Sequence, residues 1–168
     1  SDGKKYFKPI KSSFYKFSSK IREKLIKISK NFDNSQYKLG LLHSIELDIT
    51  QAYIDSIRAF ISKNRLKKID LIGIHGQTIF HNPKNRISLQ LVDPKFLCKE
   101  IKIKVVYNFR QNDMKFGGEG APLVPIFHKM LSKYLDLKGN IVFINLGGIS
   151  NLTYIPQRGK IEAYDIGP

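Results

Sequence analysis

From Ser18 the apolar residues Ile21, Leu25, Ile28 and Phe32 recur at intervals of three and four, which predicts an amphipathic helix with a strongly basic outer face. A second helix is predicted over residues 41–63, with Ile45, Ile49, Ala52, Tyr53, Ile57, Phe60 and Ile61 on one side. At Ile69 the pattern changes to a short continuous apolar run, residues 69–74, of strand length and buried character. It ends in the polar segment His75-Gly76-Gln77-Thr78. A strand over 87–91 follows a turn at Asn82-Pro83-Lys84-Asn85, and Val92-Asp93-Pro94 opens a helix through Ile101. A third strand, 103–107, leads into a long polar and Gly-rich stretch over 108–121. Pro122 and Pro125 begin a helix to about Leu135, and a strand over 141–145 is followed by a hairpin partner over 152–155. Ser1-Asp2-Gly3 reads as a turn into a strand, as if the chain started inside a hairpin, and residues 4–17 lack helical spacing.

Alternating strands and helices predict an α/β layered fold with its strands in one or two sheets. The strands at Ile69, Ile103 and Ile141 each end in a polar or Gly-rich loop. In open α/β sheets ligands bind outside the carboxyl ends of strands, so these three loops are the first places to look for chemistry.

Composition narrows the class. With 168 residues and a 42% hydrophobic fraction the chain supplies a real core for one domain or one and a half. The single cysteine, Cys98, cannot form an internal disulfide, which excludes a small disulfide-stapled secreted fold and favours a cytoplasmic setting. No apolar run approaches the roughly 20 residues needed to cross a bilayer, so no membrane partner is expected. The net charge of +15 invites nucleic acid as a partner, but only six of the 29 basic residues are Arg, the usual reader of phosphates and bases. Abundant Lys, Ile and Asn fit a general compositional bias that leaves solvated basic faces, and that reading is preferred.

Three segments carry candidate chemistry. In the first, Gly76 admits close approach of a ligand to the backbone and Gln77 offers donors and an acceptor, which suits a hydroxyl-rich substrate; a polar turn with a capping role is the plainer alternative. His75 and His81 have no Cys or carboxylate at ligand spacing, so no metal site is expected there. The second segment is the 108–122 stretch, in which Asp113 can accept a proton and Arg110 can hold a phosphate or carboxylate. Its glycines can bring a ligand against bare N–H groups, although a capping or solvated Asp113 remains the alternative. The third is Asn145-Leu146-Gly147-Gly148-Ile149-Ser150-Asn151, either a structural hairpin turn or a phosphate-clasping hairpin whose backbone amides face terminal phosphates. It matches neither a Walker A loop nor a dinucleotide-binding fingerprint.

His75-Gly76-Gln77-Thr78 with His81 and Pro83, Ser88-Leu89-Gln90, Asn108-Phe109-Arg110 to Asp113, Gly117 through Pro125 with Phe127-His128, Asn145 through Thr153, and Asp165-Ile166-Gly167-Pro168 occur here in sequence. In that order and spacing they resemble anhydro-N-acetylmuramic acid kinases. The resemblance implies an incomplete two-lobed, actin-like ATPase fold of mixed sheets flanked by helices, related to sugar kinases and heat-shock ATPases. Residues 1–138 would form part of the N-terminal lobe with the substrate loops, and 139–168 would begin the second lobe with the phosphate hairpin. It implies ATP and Mg²⁺ as nucleotide and cofactor, and an amino sugar whose anhydro bridge is opened by water while its 6-oxygen is phosphorylated during cell-wall recycling. Asp113 takes the place of the general base. His75, Gly76, Gln77, Arg110, Gly118, Ala121 and Pro122 take substrate positions, and Asn145, Gly147, Gly148 and Asn151 phosphate positions.

The departures are also specific. The family's Gly-Thr-Ser and Asp-Gly phosphate loop has no counterpart before Ser1, and the Asp165–Pro168 motif stops before its Gly-Asn continuation and the adenosine site. Asn108 stands where the family has Asp, and Glu119 where it has Gln. The expectation is therefore a partial chain with negligible kinase activity and at best very weak ATP binding, in which ATP and Mg²⁺ are not held productively, with an inactive remnant or basic binding module as the alternative and a homodimer left open.

Overall fold

The computed structural model describes residues 8–30, 39–147 and 150–167. The chain divides into two compact units, Lys11–Glu119 and a second made of Ser1–Ile10 with Gly120–Pro168. The expected turn and strand at residues 1–7 lie outside the described residues, and residues 8–18 carry no helix or strand.

The Lys11–Glu119 unit is organised on two helices, α1 (Ser19–Lys30) and α2 (Leu39–Lys63). The expected helical stripe forms here, because Ile28, Ile45 and Ile49 pack with Ile79 and Leu91 in one apolar cluster. Ile54 joins Ile74, Val92 and Leu97 in a second. Lys24 of α1 donates to Asp48 of α2 at 2.6 Å. Phe32, expected on the same stripe, lies outside the described residues.

The strands of this unit are shorter than the apolar runs suggest. Strand β1 is Ile72–Gly73 and pairs in parallel with β4, Val105–Val106, in place of the expected 69–74 and 103–107. A strand persists only where a neighbour offers its ladder groups, and the Ile72 N–H to Lys104 C=O and Ile74 N–H to Val106 C=O bonds mark those limits. Nor is the run buried throughout, since Leu71 and Gly73 are exposed. Strand β2 (Gln77–Asn82) forms an antiparallel hairpin with β3 (Ile87–Leu91), with an irregular register between Thr78 and Phe80. Gln77 and Thr78 therefore belong to a strand and not to the expected loop.

Helix α3 (Pro94–Ile101) starts as the sequence predicts, with Asp93 as its cap accepting from the Lys95 and Phe96 N–H groups, both at 2.9 Å. Buried Thr50 of α2 accepts from the Asp93 N–H at 2.8 Å and donates to the Glu46 C=O at 2.7 Å, so its hydroxyl is satisfied while tying α2 to α3. The 108–121 stretch is not a continuous loop: residues Phe109–Lys115 form helix α4. Two apolar residues account for it, because Met114 is fully buried and Phe109 packs against Gly73 of β1.

In the other unit, α5 (Pro125–Tyr134) precedes β5 (Ile141–Asn145), β6 (Ser150–Ile155) and β7 (Glu162–Gly167), an antiparallel sheet in that order. Strand β7 carries no strong apolar alternation and was not expected. The strands thus form three small sheets among the described residues, not one or two, within a mixed α/β architecture. Helix α5 groups with the β5–β7 sheet because His128 reaches Thr153, so the compact units divide at Glu119 and Gly120.

Candidate functional site

The parallel β1–β4 pair sets the first half of the site. His75 leaves the carboxyl end of β1, and Asn108 leaves β4 to start α4, so the two segments expected to touch a substrate emerge side by side from adjacent strands. Asn108 has φ 62°, a left-handed conformation that Asn tolerates better than most residues, and this turn swings α4 over the strand end.

His75 is exposed, and its Nδ1 lies 2.9 Å from the Gly76 C=O. A carbonyl only accepts, so Nδ1 donates and Nε2 of the neutral ring is left as the acceptor. Gly76 is required at its position twice over. Its φ is +76°, and a Cβ there would stand 2.9 Å from Val92 Cγ1 and 3.1 Å from the Leu91 C=O. Gln77 opens β2 opposite Leu91. Further along the hairpin, Gln90 Nε2 donates to Ser88 Oγ at 2.6 Å, and Ser88 Oγ lies 3.0 Å from His81 Nδ1, a polar row along the β2–β3 pair.

Arg110 and Asp113 are half-buried on α4, three residues apart and hence on one face. The Asp113 carboxylate sits against Gly118: a Cβ on Gly118 would be 2.0 Å from Oδ2 and 2.5 Å from Cγ. The Gly118 N–H donates to the Asp113 C=O at 3.0 Å, which holds the glycine under the carboxylate. The bare backbone at Gly118 is the seat of the Asp113 side chain. A groove of about 670 Å³ runs along the other face of α4, lined by Arg86, Tyr107, Asn108, Gln111, Asn112 and Lys115 among others, and it includes neither Arg110 nor Asp113.

The remaining expected residues belong to the other unit. Ala121 and Pro122 are half-buried before α5. Asn145 ends β5 directly opposite Asn151 of β6, which in turn stands opposite Asp165 of β7. Directly opposed residues share a face, so two carboxamides and a carboxylate form one polar rung at the end of the sheet. Gly147 is exposed in the turn, while Gly148 lies outside the described residues. Among the described residues no group of three His, Cys, Asp or Glu side chains could hold a metal ion. The single carboxylate on the rung, Asp165, is compatible with Mg²⁺, which takes one or two protein carboxylates and completes its shell with other oxygens.

One arrangement escaped the sequence reading. His128 of α5 stacks on Phe143 of β5, with ring centroids 4.6 Å apart and planes 14° apart, and its Nδ1 lies 2.9 Å from Thr153 Oγ1 of β6. Burial pushes the His128 imidazole below its ordinary pKa. The signal available was the pairing of 143 with 153, which follows once residues 141–145 and 151–155 are set as the two arms of one hairpin.

The family model described as Anhydro-N-acetylmuramic acid kinase matches residues 2–168. Curated relatives that carry this name include one from Bradyrhizobium diazoefficiens, 41% identical over 131 residues, and one from Brucella canis, 44% identical over 133 residues. Each match covers 77% of this chain and 36% of the relative. A third, from Rhodopseudomonas palustris, is 43% identical over 131 residues, again 77% of this chain and 36% of the relative. The chain thus spans little more than a third of the length of the curated relatives it matches. Among the described residues no helix is long and apolar enough to cross a membrane.

Proposed function

The chain belongs to the anhydro-N-acetylmuramic acid kinase family, and from that premise we propose that the protein carrying it opens the anhydro bridge of an N-acetylmuramic acid with water. In the same reaction the freed 6-oxygen is phosphorylated from ATP. The observation that carries this reading is the seating of the Asp113 carboxylate on Gly118, on a helix at the carboxyl end of a parallel strand pair.

Asp113 takes a proton from the attacking water as the water oxygen bonds to the anomeric carbon. The bond from that carbon to the bridging oxygen breaks, and this oxygen receives the γ-phosphoryl group while ADP departs. Arg110, on the same face of α4, and His75, Gly76 and Gln77, beside it at the strand ends, hold the sugar's polar groups. Gly118, as the seat of the Asp113 carboxylate, serves the base, and Ala121 and Pro122 keep the substrate role that the family resemblance gives them. The Asn145 and Asn151 carboxamides and the glycines at 147 and 148 would serve the phosphate oxygens, and Asp165 would hold Mg²⁺, whose charge would neutralise that of the phosphates. Phosphoryl transfer depends mainly on such positioning. The family's lobe boundary is proposed near Lys138 and Gly139, between α5 and β5, and the cytoplasm, where ATP and a reduced Cys98 coexist, is the proposed setting.

Turnover in water enriched in heavy oxygen tests the bond order. The reading requires label at the anomeric hydroxyl of the product, read before that position exchanges with solvent, and none in the phosphoryl group. Label in the phosphoryl group would mean that water attacks phosphorus, and would overturn it.

A further inference from the structure

We infer that His128 is a positioning residue for the phosphate hairpin, fixing the β5–β6 pair from one side so that the Asn145–Asn151 rung is held in place. This rests on the reading of that hairpin as a phosphate site. The geometry is specific. Phe143 and Thr153 are directly opposed across β5 and β6, and so are Asn145 and Asn151. Side chains two residues apart on a strand share a face, so the rung that His128 touches and the Asn145–Asn151 rung lie on the same face, about 7 Å apart along the strands.

The two contacts constrain the ring in different ways. Stacking on Phe143 sets the plane of the imidazole, and the Thr153 hydrogen bond sets its rotation within that plane. Each contact reaches a different strand, so one side chain of α5 registers the helix against both arms of the hairpin. A phenylalanine at 128 would keep the stack but would leave the Thr153 hydroxyl, on a residue only 1% exposed, without this partner. Helix α5 is itself fixed at its start, where Pro125 opens the first turn and the His128 N–H donates to the Val124 C=O at 3.0 Å.

The test compares His128→Ala, His128→Gln and Asn145→Ala in the full-length protein, measuring kcat and both KM values together with melting temperature. Loss of the clamp is expected to raise the KM for Mg-ATP about tenfold, the equivalent of one lost hydrogen bond, with the sugar KM changed less than about twofold. His128→Gln, which can still reach Thr153, is expected to recover part of that loss. If Asn145→Ala raises the KM for Mg-ATP and both His128 variants do not, the hairpin reading stands and the inference about His128 is overturned. A parallel rise in both KM values with a fall in melting temperature, unrelieved by His128→Gln, would reduce His128 to packing and overturn it equally. If Asn145→Ala leaves the KM for Mg-ATP unchanged, the phosphate reading fails and the inference falls with it.

Discussion

The Lys11–Glu119 unit wraps its apolar residues around α2 on both sides, with Ile45, Ile49, Ile54 and Leu97 fully buried. In the unit that contains Gly120–Pro168, only one face of the sheet is covered. Thr153 and Ile155 are buried on that face, whereas Val142, Ile144, Tyr164 and Ile166 on the other are 49–60% exposed among the described residues. The contrast separates two kinds of apolar sequence. Residues on α2 find their partners within about sixty positions of the chain, while the outer face of β5–β7 has the composition of a core face without its burial.

The largest effect should therefore come from the closed unit. In the 168-residue chain, Leu97→Ala is expected to lower stability by about 2–5 kcal/mol, whereas Ile144→Ser should stay within about 0.5 kcal/mol. Denaturant unfolding checks the pair, and equal losses would erase the contrast. Gly118→Ala separates chemistry from stability within the same unit: the methyl displaces the Asp113 carboxylate, and a misplacement of that order costs about a hundredfold in kcat. Unchanged turnover in that variant would mean that the seat has no role in the reaction. Gly76→Ala adds a left-handed penalty and a clash with Val92, and should cost about 1–3 kcal/mol by thermal unfolding.

The smallest effect is expected in the open unit, through His128. Its pKa is held below the usual 6.5 by burial, so as the pH falls the unfolded chain takes up the proton before the folded one. The stability it contributes is present above the unfolded value and is lost as pH falls through the depressed folded value. Melting temperatures through the mildly acidic range should decline for wild type more steeply than for His128→Gln. Parallel curves would show that the imidazole does not contribute.

Legibility followed the distance over which each feature is determined. Helices α1, α2 and α3 were readable because their stripes and the Asp93 cap act within a few residues. Strand β3 was readable for its alternation, but the limits of β1 and β4 depend on each other across thirty positions and no local pattern states them. Helix α4 was hidden by a polar, Gly-rich composition, and what orders it is the burial of Met114 and the Phe109 contact with β1. In the proposed site, Asp113 and the Asn145–Asn151 segment could be named as candidates from residue type alone. The Gly118 seat and the His128 clamp are relations between side chains that only the fold brings together.

Asp113 lies in one compact unit and the Asn145–Asn151 hairpin in the other; in the proposed reaction the first takes the water's proton and the second serves the phosphates. The most direct measurement is turnover of Asp113→Asn in the full-length protein, with Mg-ATP affinity measured on the same sample. The account predicts a loss of about 10²–10⁴-fold in kcat with Mg-ATP affinity unchanged, because the base acts on water and not on the nucleotide. Turnover at the wild-type rate would contradict it.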